Sequence, residues 1–252
     1  MKNLIIRFLQ SLFSNKKLFL KVKDTVFCNP AEHFFRLTDY ATKKYPQKLN
    51  LPILDIGAAN GQSAAYFSEN FKNAAVIGFE PFKKMFLIAQ KTNINNKNVT
   101  IKNIALYDSV GKKELNITAN YVSSSINELN ATEINNQSSD QQKKFELIEK
   151  QEVATSTLDE ETKNLKEILL IKIDTQGSEL NILKSGFEAL KKTHLLLIEM
   201  SNHDMYKNGC QYYEIDQFLR DNHFKLVDII VVYRADGKAA EYDAIYESSI
   251  NF

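Results

Sequence analysis

Ile53-Leu54-Asp55-Ile56-Gly57-Ala58-Ala59-Asn60-Gly61-Gln62-Ser63 decides how the rest of the chain is read. An apolar strand run reaches Asp55, breaks at a glycine-bearing turn and enters a helical pattern, Ala64-Ala65-Tyr66-Phe67. Glycine at such a turn permits positive φ and close approach of a ligand to the backbone, and the helix that follows presents unpaired N–H groups. A strand, turn and helix of this kind make a nucleotide- or nucleoside-binding loop of the Rossmann sort.

A dinucleotide loop would read G-x-G-x-x-G, with a helix N-terminus aimed at pyrophosphate. Here the glycines are Gly57 and Gly61 alone, and Asp55 stands where it would repel a pyrophosphate. That carboxylate suits a cationic or zwitterionic ligand such as S-adenosylmethionine. A second strand, Ala74 to Phe79, ends in Glu80, placed to accept both hydroxyls of a ribose. Read without the loop before it, Glu80 is equally a surface carboxylate at a strand end.

Outward from this core, the pattern predicts strand 53–57, helix 62–70, strand 75–80, helix 82–91 after Pro81, and strand 99–103. It resumes with strand 168–173 ending in Asp174, helix 178–184, strand 194–198 ending in Glu199, and helix 211–222. Such alternation implies a parallel sheet covered by helices on both faces. The C-terminal runs 224–233 and 242–247, joined through Ala235-Asp236-Gly237-Lys238, read as an antiparallel hairpin. That hairpin separates a methyltransferase sheet from a dehydrogenase sheet. Residues 112–118 read as an extra strand. The polar stretch 119–152 reads as a lid-like insertion with a short helix at 140–150, or else as an idle insertion.

Residues 1–50 read as an N-terminal helical extension, with a helix expected from Ala31 to Tyr45 starting near Asn29-Pro30. Within residues 1–17, Ile5, Phe8 or Leu9, and Leu12 share one helical face flanked by Lys2, Arg7, Lys16 and Lys17. An interfacial membrane helix is one reading; a helix packed on the domain or on a second subunit is the other. No run of 18 apolar residues occurs. With 32 basic and 31 acidic residues the net charge is +1, which gives no electrostatic reason to expect a nucleic-acid partner. Cys28 and Cys210 are too far apart in sequence to suggest a zinc site or disulfide framework, so a reducing, cytoplasmic setting is expected.

The ordered series Asp55-Ile56-Gly57-Ala58-Ala59-Asn60-Gly61, Gly78-Phe79-Glu80-Pro81, Asn103-Ile104-Ala105-Leu106, Ser123-Ser124-Ser125, Ser156-Thr157-Leu158-Asp159, Ile173-Asp174-Thr175-Gln176-Gly177-Ser178-Glu179, Ile198-Glu199 and Tyr242-Asp243-Ala244-Ile245 resembles the FkbM-type S-adenosylmethionine-dependent methyltransferases. The resemblance covers residues 51–249. It implies a class I methyltransferase fold, a seven-stranded, mostly parallel, Rossmann-like sheet, and O-methylation of a small-molecule or sugar hydroxyl. It also implies that Asp55, Gly57 and Gly61 frame the methionine part of the donor, with Ala58, Asn60 and Ser63 among the cofactor-binding residues. Glu80 and Pro81 would then lie at the ribose, Phe82 near adenine or ribose, and Asn103 and Ala105 at the adenine. The family pattern is D-I-G-A-N, and the extra alanine in Ala58-Ala59-Asn60 is expected to shift the loop's contact with the methionine carboxylate.

Methyl transfer from a sulfonium has an excellent leaving group, so the protein chiefly positions donor and acceptor. An alcohol must also lose a proton to a carboxylate or histidine within reach. Asp174, Glu199 and His203 are the candidates at the ends of the central strands, with Asp174 first. His203 is equally an ordinary loop histidine, and Glu179 a group that caps its helix or binds a backbone amide. No metal is expected, although Asp174, Glu199 and His203 have the chemistry of a divalent-cation set. The rivals are a nicotinamide-dependent oxidoreductase and a catalytically idle binding module.

Overall fold

The computed structural model describes residues 32–235 and 237–250. The basic face at 1–17, the Asn29-Pro30 helix start, Ala31, Cys28 and Asp236 in the hairpin turn lie outside the described residues. Two compact units divide after Arg36. Of the first, Glu32–Arg36 is described as the opening of helix α1 (Glu32–Lys44), where the Arg36 guanidinium donates to Glu32 at 2.6 Å.

The second unit is built on a seven-stranded sheet in the order β3-β2-β1-β7-β8-β10-β9. Its members are β1 (Ile53–Ile56), β2 (Val76–Phe79), β3 (Val99–Lys102), β7 (Ile168–Ile173), β8 (Thr193–Ser201), β9 (Phe224–Ala235) and β10 (Lys238–Ser248). All neighbours pair in parallel except β10, which runs antiparallel to both β8 and β9. The central strands are buried end to end: every residue of β1 and of β7 is buried. Strands covered on both sides read as continuous apolar runs rather than alternating ones, which is why 53–56 and 168–173 stand out in the sequence. Each fully buried Leu or Ile there contributes roughly 1.5–3 kcal/mol.

Helices α2 (Gln62–Asn70) and α3 (Lys83–Thr92) follow β1 and β2. Later come α6 (Leu158–Thr162), α7 (Glu179–Lys184), α8 (Phe187–Leu190) and α9 (Tyr212–Asp221). Boundaries fall within one or two residues of the periodicity, except that β10 begins at Lys238 rather than at 242 and β8 extends past Glu199 to Ser201, because their pairing runs from Glu247↔Leu195 to Glu241↔Ser201.

The stretch 119–152 differs from expectation. A second sheet, β4-β6-β5, joins β4 (Ala105–Leu106), β5 (Gly111–Thr118) and β6 (Leu147–Ser156). The insertion is therefore 119–146, the connection of a β5/β6 hairpin, and 147–152 belongs to a strand. Its two ends are tied, Ala119 N to Glu146 O at 2.9 Å, and it carries two short helices, α4 (Ala131–Asn135) and α5 (Ser139–Lys144), in place of one at 140–150. Composition hid β6 because its outward residues are charged. Lys150–Glu114 and Lys112–Glu152, each at 2.6 Å, link it to β5 in a geometry where opposite charges on neighbouring strands attract.

Candidate active site

Beyond the carboxyl ends of β1, β2, β7 and β8 lies a cleft of about 400 Å³, where ligands bind in open α/β sheets. Gly57, Glu80, Pro81, Phe82, Ala105, Asp174, Glu199 and His203 line it; Asp55, Ala58, Asn60, Gly61, Ser63 and Asn103 do not.

The second group supports the loop from behind. Asp55 is fully buried, accepting from the Ser63 hydroxyl at 2.5 Å and pairing with Lys172 at 3.3 Å. Its carboxyl is raised by burial, against the pull of Lys172 and Ser63, so it meets a lysine of its own chain rather than a ligand. Asn60 accepts from Gln62 N at 3.1 Å at the entry of α2. Gly61 packs on α3: a Cβ there would lie 2.6 Å from Asn93 Nδ2 and 2.8 Å from Ala89 Cα. Asn103 donates to the carbonyls of Glu80 and Pro81 at 2.9 and 2.8 Å, fixing the turn after β2. Gly57 both lines the cleft and touches the neighbouring strand end. At φ +80 its Cβ would fall 1.8 Å from the Asp174 carbonyl oxygen, so β1 and β7 approach this closely only because the position is glycine.

On one wall Glu80 accepts from Ala59 N at 2.9 Å and Phe82 N at 2.8 Å. The extra alanine of the loop, Ala59, is the left-handed residue (φ 46) that delivers that N–H. Burial pushes the Glu80 carboxyl up to about 7, while the two N–H groups act the other way. Phe82, Met85, Ala105 and Leu115 make an apolar cluster beside it. Tyr121 of the insertion closes over them, its ring 5.5 Å from that of Phe82 and its hydroxyl accepting from Lys84 at 2.8 Å.

The other wall is acidic. Lys172, only 6% exposed, donates to Gly57 O at 3.1 Å and faces Asp55 at 3.3 Å and Asp174 at 3.4 Å. Burial works against its charge, but Asp174 and Asp55 outweigh burial and push the ammonium up. Burial likewise opposes ionisation of Asp174, but Lys172 and Gln176 outweigh it and hold the carboxyl below the usual range. Glu199 lies well above that range, through burial and then the charges of Asp174 and Glu241. Gln176 Nε2 spans the pair, donating to Asp174 Oδ1 at 3.2 Å and Glu199 Oε2 at 2.5 Å. Glu241 is pushed up to about 6 by burial, Asp174 and Asp243. Glu179 faces the backbone, accepting from Thr175 N at 2.9 Å and Gly177 N at 3.0 Å; it binds amides of the preceding loop and does not cap its helix. Among the described residues no group of three His, Cys, Asp or Glu is arranged to hold a metal ion.

Sequence reasoning passed over Lys172, Gln176, Glu241 and Tyr206. A visible signal existed only for Lys172, the one charged residue inside Ile168–Ile173 and two before Asp174. Gln176 and Tyr206 act through contacts between segments distant in the chain, which no local pattern records.

The sheet order and the single antiparallel strand β10 define a class I methyltransferase fold. Residues 55–226 match the methyltransferase FkbM domain, and the chain belongs to that family, whose methyl donor is S-adenosylmethionine. No curated protein matches the chain. Solved structures similar to it include the fibrillarin pre-rRNA processing protein of Methanococcus jannaschii, with TM-score 0.47 and 11% identity over 78% of this chain and 66% of that one. Another is a precorrin-6y C5,15-methyltransferase of Geobacter metallireducens, with TM-score 0.47 and 11% identity over 84% and 87%. A third is the magnesium protoporphyrin IX methyltransferase of Synechocystis with bound donor, with TM-score 0.47 and 9% identity over 86% and 80%. No helix among the described residues is long and apolar enough to cross a membrane.

Proposed function

We propose that the cleft transfers a methyl group from S-adenosylmethionine to a hydroxyl of a small molecule or sugar. The observation that carries this reading is the Asp174–Glu199 pair, two cleft-lining carboxyls bridged by Gln176 Nε2 at 3.2 and 2.5 Å, with Lys172 3.4 Å from Asp174. The residues of the first wall fit the donor. A carboxylate has about four acceptor positions, so Glu80, with two N–H partners, keeps capacity for two ribose hydroxyls. The Phe82–Ala105 surface offers an adenine an apolar face.

When bound, the donor supplies the methyl group and a sulfonium whose positive charge favours the ionised form of a nearby carboxyl. Asp174, already ionised beside Lys172, suits the donor's ammonium group. Glu199 then takes the role first expected of Asp174, since a carboxyl with a raised pKa is the stronger proton acceptor for an alcohol. His203, Glu241, Ser123, Ser124 and Ser125 complete the polar acceptor side.

Incubation with methyl-labelled donor and a panel of hydroxylated acceptors, read by mass spectrometry, tests the reading. Label is expected on oxygen in the wild type and lost in Glu199→Gln with donor binding kept. Label found on nitrogen, or equal transfer by the variant, would overturn it.

A further inference from the structure

The insertion 119–146 is bonded to the loop after β7 at three places. Ser125 Oγ donates to Gln176 O at 2.7 Å, and Asn127 Nδ2 to Gly177 O at 2.7 Å. The third is Tyr206, whose hydroxyl lies 2.9 Å from both the Ser123 carbonyl and Gln176 Oε1. One hydroxyl carries one proton, so Tyr206 satisfies only one of these acceptors at a time.

Gln176 itself sits at φ +61, a conformation costly for a residue with a Cβ and kept only where its surroundings over-determine it. What holds it there is the Ser125 bond to its own carbonyl and the Asn127 bond to the next one, together with the contacts of its amide: Nε2 to Asp174 and Glu199, Oε1 to Tyr206. Tyr206 stays protonated, since burial and then the charge of Glu199 push its hydroxyl far up. The chain of contacts runs from the insertion, through the Ser125 and Asn127 bonds to the backbone of the loop after β7, to Gln176 and the two carboxyls of the acceptor wall. Hydrogen bonds in such a series polarise one another.

We propose that Gln176 and Tyr206 are positioning residues that hold Asp174 and Glu199 at a fixed spacing only while segment 119–130 is seated on the cleft. The proposal rests on the reading of that pair as the acceptor-side carboxyls. Seating the segment then completes the site, and lifting it removes the Ser125 and Asn127 bonds, frees the strained backbone at Gln176 and lets the two carboxyls part. Acceptor entry and the arming of Glu199 become one event.

Two readouts on the whole chain with S-adenosylhomocysteine bound, and no acceptor, test this: amide exchange across residues 123–127, and the carbon-13 NMR titration of the Glu199 carboxyl. Besides Asp174, the groups facing Glu199 are Glu241 and Asp243 of β10, Glu179 of α7 and Tyr206, with Lys172 on β7 and Lys144 near Glu241. None of these is altered in Gln176→Met, which removes only the amide. Exchange should quicken roughly tenfold, the scale of one lost hydrogen bond, and Glu199 should ionise at higher pH because its donor is gone.

Tyr206→Phe should move both readouts in the same direction by less, and it decides the matter if Gln176→Met does not fold. Gln176→Asn, which tolerates left-handed backbone, should recover part of each. Faster exchange with an unmoved Glu199 titration, or a moved titration with unmoved exchange, would overturn the coupling. Failure to methylate any hydroxyl acceptor would bear on the proposed function and leave these readouts standing.

Discussion

The two walls of the cleft are built in opposite ways. The Glu80 wall comes from one continuous half of the chain: the loop after β1, the turn after β2, α3, β4, Leu115 of β5 and Tyr121 at the start of the insertion. It holds one cleft-lining carboxyl whose pKa is moved, and that group is satisfied by backbone N–H groups two and twenty-one residues away. The Asp174 wall gathers residues from the insertion, the loop after β7, the end of β8, the segment before α9, and β10. It concentrates Glu199 and Glu241 within reach of the charge of Asp174, which is itself paired with Lys172. A wall made of local contacts recognises a constant ligand. A wall made of long-range contacts lets each contributing segment move or change independently, as suits a variable acceptor.

Substitutions that separate the walls break or sharpen this contrast. The largest effect is expected at Glu80. Glu80→Ala removes the acceptor of two ribose hydroxyls, each bond to a charged group amounting to roughly 1.5–3 kcal/mol, so donor affinity by calorimetry should fall by about a hundredfold or more. Glu199→Gln, on the opposite wall, should leave that affinity near wild type and lower single-turnover methyl transfer by roughly 10²–10⁴-fold, the range for a lost general base. Asp174→Asn should weaken donor binding more than Glu199→Gln does, because it discharges the group paired with Lys172. If the two single-residue profiles coincide, the walls are not functionally distinct.

A smaller, purely structural effect tests where the walls meet. Gly57→Ala places a methyl group 1.8 Å from the Asp174 carbonyl at φ +80. Left-handed backbone costs roughly 1–2 kcal/mol and overpacking roughly 1–3 kcal/mol more, so denaturant unfolding should show a loss of about 2–5 kcal/mol. Gly237, at φ +79 with nothing within 4 Å of its added Cβ, is the control; Gly237→Ala should carry only the backbone part. Equal losses at the two glycines would mean that β1 and β7 are not held apart by this contact.

The contrast also explains what could be read from sequence. Burial on both sides makes β1 and β7 uninterrupted apolar runs, and β10 pairs antiparallel where the hairpin was expected. Glu80, Phe82 and Ala105 reach the cleft because a strand end fixes their direction. Asp55, Ser63 and Gly61 were legible as a loop but not as a layer beneath it. What turns Asp55 inward is Lys172, 117 positions away in a strand two places on from β2 in the sheet. β6 was hidden for a related reason: its partner β5 supplies the charges that its own residues require.

The smallest effect concerns pH and the Glu80 wall alone. An ordinary glutamate ionises near 4.5, and burial carries Glu80 up to about 7. Because the folded chain keeps this proton longer than the unfolded one, the stability Glu80 contributes falls as pH rises from about 4.5 through about 7. Donor affinity should run the other way. Ribose hydroxyls donate, and the ionised carboxyl accepts from both, whereas the protonated form has less acceptor capacity. Binding below about 7 must therefore expel the proton from Glu80. Affinity for S-adenosylhomocysteine, which lacks the sulfonium charge and so leaves the Glu199 wall nearly unperturbed, should rise with pH toward that value, by at most about tenfold per unit for one group, and then level off. Calorimetry in two buffers of different ionisation enthalpy should record proton release on the acidic side, and Glu80→Gln should abolish it. A flat affinity profile in the wild type would mean that the ribose is held elsewhere and that the two walls share the donor.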